Sequence, residues 1–430
     1  MTKQHNDDDT ALNQYKNKSY IVASGAYQAE VNGIELHSNF QPIYSLSHRK
    51  PIGYEGLLRG LDAERQSISR SEIFSALRSK EEIIDLDRLG CYLHVNNYVR
   101  QTDEFNWLFL NVHPAVLMSG KESGSYVEAL LSENEIKPNN IVIEILEAPS
   151  EDKDKFFDAI NYYRDLGFLI AIDDFGKGSS NFDRVLEIKP DIVKFDKSII
   201  KNIKHDDMAN RMLPKLVSLI HECGSLVLLE GIEEEEQALR AVDSGADFVQ
   251  GYYLSKPNRN LLTDVTSDAV GESGIDLSHL CSAYQSRVTQ REDNAEKKLG
   301  AYIFAFNGVS DAIKAGEPLE SVLQPLLQLS GVERCYMLDR KGYQQGKNFF
   351  PDDHAELFPQ RFNVLESQSC ASWFRRPYFR RAINEPDKVH ISRPYLSTTA
   401  GIVCITLSIL VKDKDGESIV LCCDIDWTDR

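Results

Sequence analysis

Several things are scarce in this chain, and each scarcity narrows what it can do. No apolar run approaches the roughly 18 residues of a membrane-spanning helix, and the start, MTKQHNDDDT, has no signal-peptide core. Basic residues are few: 48 Lys and Arg against 66 Asp and Glu give a net charge of -18 over 430 residues. That argues against duplex nucleic acid as a partner, since such a surface must be basic. The eight cysteines contain no CxxC pair, which argues against a disulfide framework and suits reduced thiols in a cytoplasmic protein. Cys422 and Cys423 read as core thiols. No GxGxxG follows the first predicted strand, so a dinucleotide-binding fold has no support.

What is present is an alternation of short apolar runs and amphipathic stretches from about 34 to 257. The predicted strands are SNFQPIYSL, KPIGYEGLL, WLFLNVH, NIVIEILE, FLIAIDDF, IVKFDKS, SLVLLEGI and DFVQGYYLS. Helix-period segments such as DKFFDAINYYRDLG lie between most of them, several ending in Gly. Eight such units predict an α/β fold, a (β/α)8 TIM-like barrel. Only SHRK separates the first two runs, so the first strand is expected to run antiparallel to the others. Residues 1–28 read as a mobile leader, 29–262 as the barrel, 263–300 as a linker with a signalling helix, and 301–430 as an α+β module.

Polar residues close the apolar runs in series: Glu55, Asn111, Glu144, the pair Asp173–Asp174, Lys194, Glu230 and Gln250. In a barrel of this kind, seven strands then point polar groups at the C-terminal mouth, where active sites form. Carboxylates at buried strand ends are costly unless a cation neutralises them, which points to a shared divalent-metal site.

These residues sit in FQPI (40–43), GYEGLLR (53–59), NVHP (111–114), EILE (144–147), DDFGKG (173–178), KFD (194–196), EGIE (230–233) and QGYYLSKP (250–257). Eight motifs in this order resemble the EAL-domain family of cyclic di-GMP phosphodiesterases. The resemblance implies hydrolysis of cyclic di-GMP to linear pGpG at a two-metal site. It implies Glu55, Asn111, Glu144, Asp173 and Asp174 as metal ligands. It also implies Lys194 as holder of the attacking water, Glu230 as the general base or water-orienting carboxylate beside it, and Glu147 as the residue that orders the DDFGKG loop. Gln41, Leu57, Arg59, Glu233 and Gln250 match substrate-contacting positions, and Tyr252 is a further candidate for packing on guanine. Hard oxygen donors suit Mg2+ or Mn2+. His48, His113 and His221 are expected to be satisfied or solvated rather than ligands.

The chain departs from the family at Gly56, where Ala is usual, at Gly60, and at Lys177 and Ser179 in the loop after Asp174. Gly56 is expected to loosen the backbone that carries Glu55 and Leu57. These departures keep open an alternative, a catalytically weak cyclic di-GMP receptor.

The C-terminal stretch contains VERCYMLDRKG, VCITLSILVKDKDG and SIVLCCDID, which read as antiparallel strands. It resembles PAS or Cache-like sensor domains. Trp373, Arg376, Tyr395 and Asp424 are candidates to line a pocket for a small anionic or amine ligand. The rival reading is a structural domain used for dimerisation. The polar middle of the preceding helix, TQREDNAEKK, suggests pairing with a second copy, so a homodimer is expected.

Overall fold

The computed structural model describes residues 12–427 apart from 103–105, 120, 147–152, 178–181, 204–206, 263–276, 354–370, 398–400 and 413–415. The chain divides into two compact units, Met1–Arg287 and Val288–Arg430. In the first, β1 (Ser19–Ile21) and β2 (Tyr27–Val31) form an antiparallel ribbon that pairs onto β3 (Ile34–Ser45). β3 turns back into β4 (Lys50–Leu61), whose far end carries the short β5 (Ser67–Ile68). From β4 the order is parallel through β6 (Trp107–Val112), β7 (Ile141–Leu146), β8 (Leu169–Phe175), β9 (Ile192–Phe195), β10 (Leu226–Leu229) and β11 (Phe248–Val249). β11 then pairs antiparallel with β3 and closes an eight-stranded barrel. The expected antiparallel first strand is therefore present as β3.

Strand alternation sorts the side chains. In β6, Leu108, Leu110 and Val112 join the outer core between barrel and helices, while Phe109 points inward. Ile43, Phe109, Val142, Ala171, Ile192, Leu228 and Phe248, from seven strands, form an apolar plug inside the barrel. The surrounding helices start where sequence says they should. Ser69 and Ser79 each cap a helix in a reciprocal capping box, with Glu72 and Glu82. No helix among the described residues is long and apolar enough to cross a membrane.

Part of the expected mobile leader is ordered. Residues 12–18 are helical, Leu12 and Tyr15 are buried, and the Tyr15 ring meets Tyr126 edge-on at 5.2 Å. Lys16 and Lys18 pair with Glu133 and Asp85 at 3.1 and 2.6 Å. Two buried side chains and the ribbon are enough to fix a segment that is polar overall.

The predicted linker helix spans Leu277–Ala315, longer than expected. Leu277 and Leu280 belong to the barrel unit's core, and Arg287 holds Glu236 at 2.8 Å. Leu299, Tyr302, Phe306, Val309 and Ile313, spaced by three and four, belong to the second unit's core.

That second unit is an antiparallel sheet, as expected. Its strands are β12 (Val332–Leu338), β13 (Gln344–Phe349), β14 (His390–Ile391), β15 (Tyr395–Leu396), β16 (Val403–Lys412) and β17 (Ser418–Asp426). The order is β13-β12-β17-β16-β14, with β15 also on β16. One face (Cys335, Ile405, Leu407, Leu421, Cys423) packs with Phe306, Leu323 and Leu326. The other carries Tyr336 and Cys422 against Tyr378 and Phe379 of the helix Pro377–Asn384.

Candidate active site

The polar series stands one step above the apolar plug. Two residues beyond Phe109, Val142, Ala171, Ile192, Leu228 and Phe248 come Asn111, Glu144, Asp173, Lys194, Glu230 and Gln250. β4 places Glu55 two residues beyond Gly53. β3 runs the other way, so Gln41 lies two residues before Ile43 and is cross-strand partner of Glu55. All eight strands therefore deliver a polar side chain to one end, one more than the seven read from the run ends. Tight turns finish the geometry after Glu230 and Gln250. Gly231 has φ +66°, and a Cβ on Gly251 would lie 2.1 Å from the Ile232 carbonyl oxygen, so only glycine fits there.

At the centre is Lys194, fully buried. Its Nζ lies 2.5 Å from Glu144 Oε1, 2.7 Å from Glu230 Oε1, 3.2 Å from Asp173 Oδ1 and 3.9 Å from Glu55 Oε1. Asn111 Nδ2 and Gln250 Nε2 donate to the two Glu55 oxygens at 2.8 and 2.9 Å. One cation faces four carboxylates. Burial pushes Glu144 well above the usual carboxylate range and Glu230 up to about 8, although Lys194 pulls both down. Burial acts in the same direction on Glu55, but Lys194, Gln250 and Asn111 together hold it below its ordinary value. Burial would lower Lys194, and the surrounding acids overcome this and raise it well above its ordinary value. Glu144 Oε2 is buried with no hydrogen-bond partner. A buried carboxylate oxygen left over in an acid-rich cluster is what a divalent cation would take up, so the donor set fits hard metal ions.

Asp174 departs from the others. Its φ is +58°, an uncommon backbone state for a non-glycine residue. Its N–H donates to Asp173 Oδ1 at 2.9 Å, and Lys177 Nζ sits 2.9 Å from its Oδ2. The foreseen positive charge near the candidate ligand carboxylates is thus in direct contact with one of them. Glu147 and Ser179 lie outside the described residues.

The expected substrate contacts are placed as follows. Gln41 is buried and donates to the Ser255 carbonyl oxygen at 3.2 Å. Leu57 and Arg59 follow Glu55 on the same side of β4, each half-buried, with Arg59 Nη1 donating to the Leu58 carbonyl oxygen. Glu233 is tied to Lys201 at 3.3 Å, so its carboxylate already has a cation. Tyr252 is exposed. The three histidines set aside from sequence are satisfied. His113 Nδ1 accepts from the Ala115 N–H, His221 meets Asp247 at 2.8 Å, and His48 meets Ser45 at 2.9 Å.

Sequence reading missed His94. It is buried in the helix Lys80–Val99, and its Nδ1 meets Ser38 Oγ at 2.8 Å. A Cβ on Gly56 would lie 2.9 Å from His94 Cγ. The imidazole thus takes the room of the usual alanine methyl, beside Glu55. Gly56 is also paired on both sides, to Phe40 and Leu110, so it does not loosen the strand as expected. Gly60 is filled likewise: a Cβ there would be 2.6 Å from Ile34 Cγ2. The only signal in the sequence was a polar residue on the apolar face of a helix.

In the C-terminal unit, Trp373, Arg376, Tyr395 and Asp424 do converge. The Arg376 guanidinium stands over the Trp373 and Tyr395 rings at 5.7 and 5.0 Å. Tyr395 Oη donates to Asp424 Oδ1 at 3.3 Å, and Arg334 Nε holds Oδ2 at 2.9 Å.

Comparison with known proteins agrees with this geometry. YkuI, an EAL-domain containing protein of Bacillus subtilis (strain 168), is 26% identical over 354 residues, 79% of this chain and 82% of YkuI. The YkuI crystal structure, in complex with substrate c-di-GMP and calcium, matches with a TM-score of 0.73 at 25% identity, over 91% of this chain and 96% of that one. PdeI of Escherichia coli (strain K12), a probable cyclic di-GMP phosphodiesterase, is 29% identical over 257 residues, 58% of this chain but 32% of PdeI. RocR of Pseudomonas aeruginosa, a cyclic di-GMP phosphodiesterase, is 30% identical over 155 residues, 35% of this chain and 38% of RocR. The chain therefore spans about a third of each of these two relatives' length. The EAL domain itself matches residues 25–257, more than half of the chain and the whole of the barrel, so this chain belongs to the EAL domain family.

Proposed function

We propose that the barrel hydrolyses cyclic di-GMP to linear pGpG, using divalent metal ions held by Glu55, Asn111, Glu144, Asp173 and Asp174. The observation that carries this reading is the convergence of four carboxylates on Lys194, with one Glu144 oxygen unsatisfied. Support also comes from YkuI, which was crystallised with c-di-GMP and calcium. Mg2+ or Mn2+ is the natural choice for a donor set of oxygens. Such ions, when bound, neutralise phosphate charge and make a water molecule nucleophilic near pH 7.

The chain's own groups do the rest. Lys194 Nζ, 2.7 Å from Glu230 Oε1, donates to the attacking water, and Glu230 Oε1 accepts its proton. The hydroxyl forms the new bond to phosphorus, the bond to the 3′ oxygen breaks, and that oxygen takes up a proton. The product keeps the 5′ phosphate, as pGpG does. Arg59 faces the phosphates through its guanidinium fork, Leu57 offers an apolar wall to a guanine, and Gln41, Gln250 and Glu233 contact the nucleotide. Glu147 orders the loop after Asp174.

A second reading, a receptor that binds without turnover, is favoured by the Lys177–Asp174 pair, which puts a cation where a second metal would sit. We also read 301–430 as a PAS or Cache-like sensor that sets activity, with a small ligand near Trp373, Arg376, Tyr395 and Asp424. The molecule would be a homodimer. A cytoplasmic setting is supported by the seven described cysteines, all free.

The test is to incubate the purified chain with cyclic di-GMP and Mg2+ or Mn2+ and follow pGpG by chromatography. Product that disappears with chelator and with Glu55→Ala is expected. Binding without product selects the receptor, and neither binding nor product overturns both.

A further inference from the structure

β12 reads VERCYML, and its second residue breaks the strand alternation. Val332 pairs with Ile425 but Arg334 pairs with Asp424, so Glu333 is an extra residue, a β-bulge. Bulges re-aim side chains. Here Glu333 and Arg334 both reach buried partners: Ser397 Oγ donates to Glu333 Oε1 at 3.1 Å, and Arg334 Nε donates to Asp424 Oδ2. Glu333 is 0% exposed, and its Oε2 has no hydrogen-bond partner. Cys404 and Asp424, also 0% exposed, stand beside it, and one donor atom from each of the three lies within 4.8 Å of the others.

We propose that Glu333, Cys404 and Asp424 form a second metal site, for a thiophilic divalent cation of the zinc class. Three observations carry it. The Glu333 Oε2 atom is buried with no hydrogen-bond partner, and a cation is one group that would satisfy it. The sulfur of Cys404 selects against Mg2+ and Mn2+ and for zinc-like ions. Charge then closes: three anionic ligands are matched by the dication and Arg334. Arg334 and Thr406, which donates to Asp424 Oδ1 at 2.7 Å, fix the carboxylate from outside the site. Binding displaces one proton from the Cys404 thiol and one from the Glu333 carboxyl, both released to solvent. The barrel set has no sulfur donor, so the two sites take different metals.

The test uses the full chain, stripped with chelator and then titrated with Co2+ in excess Mg2+, which occupies the barrel. A thiolate-to-cobalt charge-transfer band in the near ultraviolet is expected. It should vanish in Cys404→Ser and persist in Glu55→Ala. Glu333→Gln should weaken Co2+ binding by about tenfold or more. No band in the wild type, or an unchanged band in Cys404→Ser, overturns the proposal. If Cys404→Ser fails to fold, Glu333→Gln, which keeps shape and volume, decides: unchanged affinity overturns it. The outcome does not depend on phosphodiesterase turnover, so the two proposals stand or fall separately.

Discussion

The barrel mouth and the C-terminal sheet both bury a cation among acids, but they balance charge differently. At the mouth, Lys194 faces Glu55, Glu144, Asp173 and Glu230, and the cluster has more negative charge than one ammonium can match. In the sheet, Arg334 meets Asp424 one to one, and Thr406 and Tyr395 complete the carboxylate's hydrogen bonds. The first cluster opens to solvent through Glu230, whose side chain is 21% exposed, while Asp424 is fully enclosed. An open, under-neutralised cluster is suited to exchanging metal and substrate. A closed, matched pair is suited to holding a sheet together, and only the bulged Glu333 leaves it a surplus.

The largest effect expected from this contrast is on turnover. Glu55→Ala or Asp173→Asn should lower pGpG formation by about three orders of magnitude or more, because charge neutralisation and the activated water are lost with the metal. Steady-state rates at saturating Mn2+ will measure it. Lys194→Ala, measured in the same assay, should cost about 10²–10³ in kcat, as for loss of one charge-stabilising donor.

Stability separates the two clusters next. Lys194→Met leaves the mouth's carboxylates without their cation and should cost about 3–5 kcal/mol in chelator. Mn2+ should restore much of that. Asp424→Asn leaves Arg334 buried and unpaired at a similar cost, and Mn2+ should restore none of it. Urea unfolding of both variants, with and without Mn2+, breaks the comparison if the metal rescues them equally.

Gly56 offers a smaller test. Gly56→Ala forces a methyl against His94 and should cost about 1–3 kcal/mol, as overpacking does. Pairing it with His94→Ala should recover most of that loss, whereas two independent sites would simply add.

The last test concerns pH, and at neutral pH its effect is nil. Burial, with help from Arg70 and Arg59, lowers His94 from 6.5 to about 3. The unfolded chain therefore binds a proton here that the folded chain refuses. The stability this contributes is complete above pH 6.5 and is lost as pH falls towards 3. His94→Asn should flatten that part of the stability profile. Unfolding midpoints at neutral pH and near pH 4 for both proteins will show whether it does.

How much of this was readable in advance follows the range of each interaction. The barrel and the polar series at its mouth were legible because each strand carries its own pattern, a few apolar residues and then one polar group. The residues that fill Gly56 were not, because His94 lies on a helix far along the chain. The ordered 12–28 segment was hidden for the same reason. Its burial depends on Tyr126 and on pairing with β3, while locally it is polar. The bulge at Glu333 was also hidden, since register is a property of two strands and the pairing of Val332 and Arg334 with Ile425 and Asp424 is what reveals it.

One consequence of Lys194 concerns supply rather than chemistry. Because the chain carries its own counter-ion at the centre of the acid cluster, the barrel can assemble before any metal arrives. On the proposed function, metal would join a finished scaffold and could leave it again without unfolding it. Folding would then be uncoupled from metal supply, while turnover would follow the free ion level.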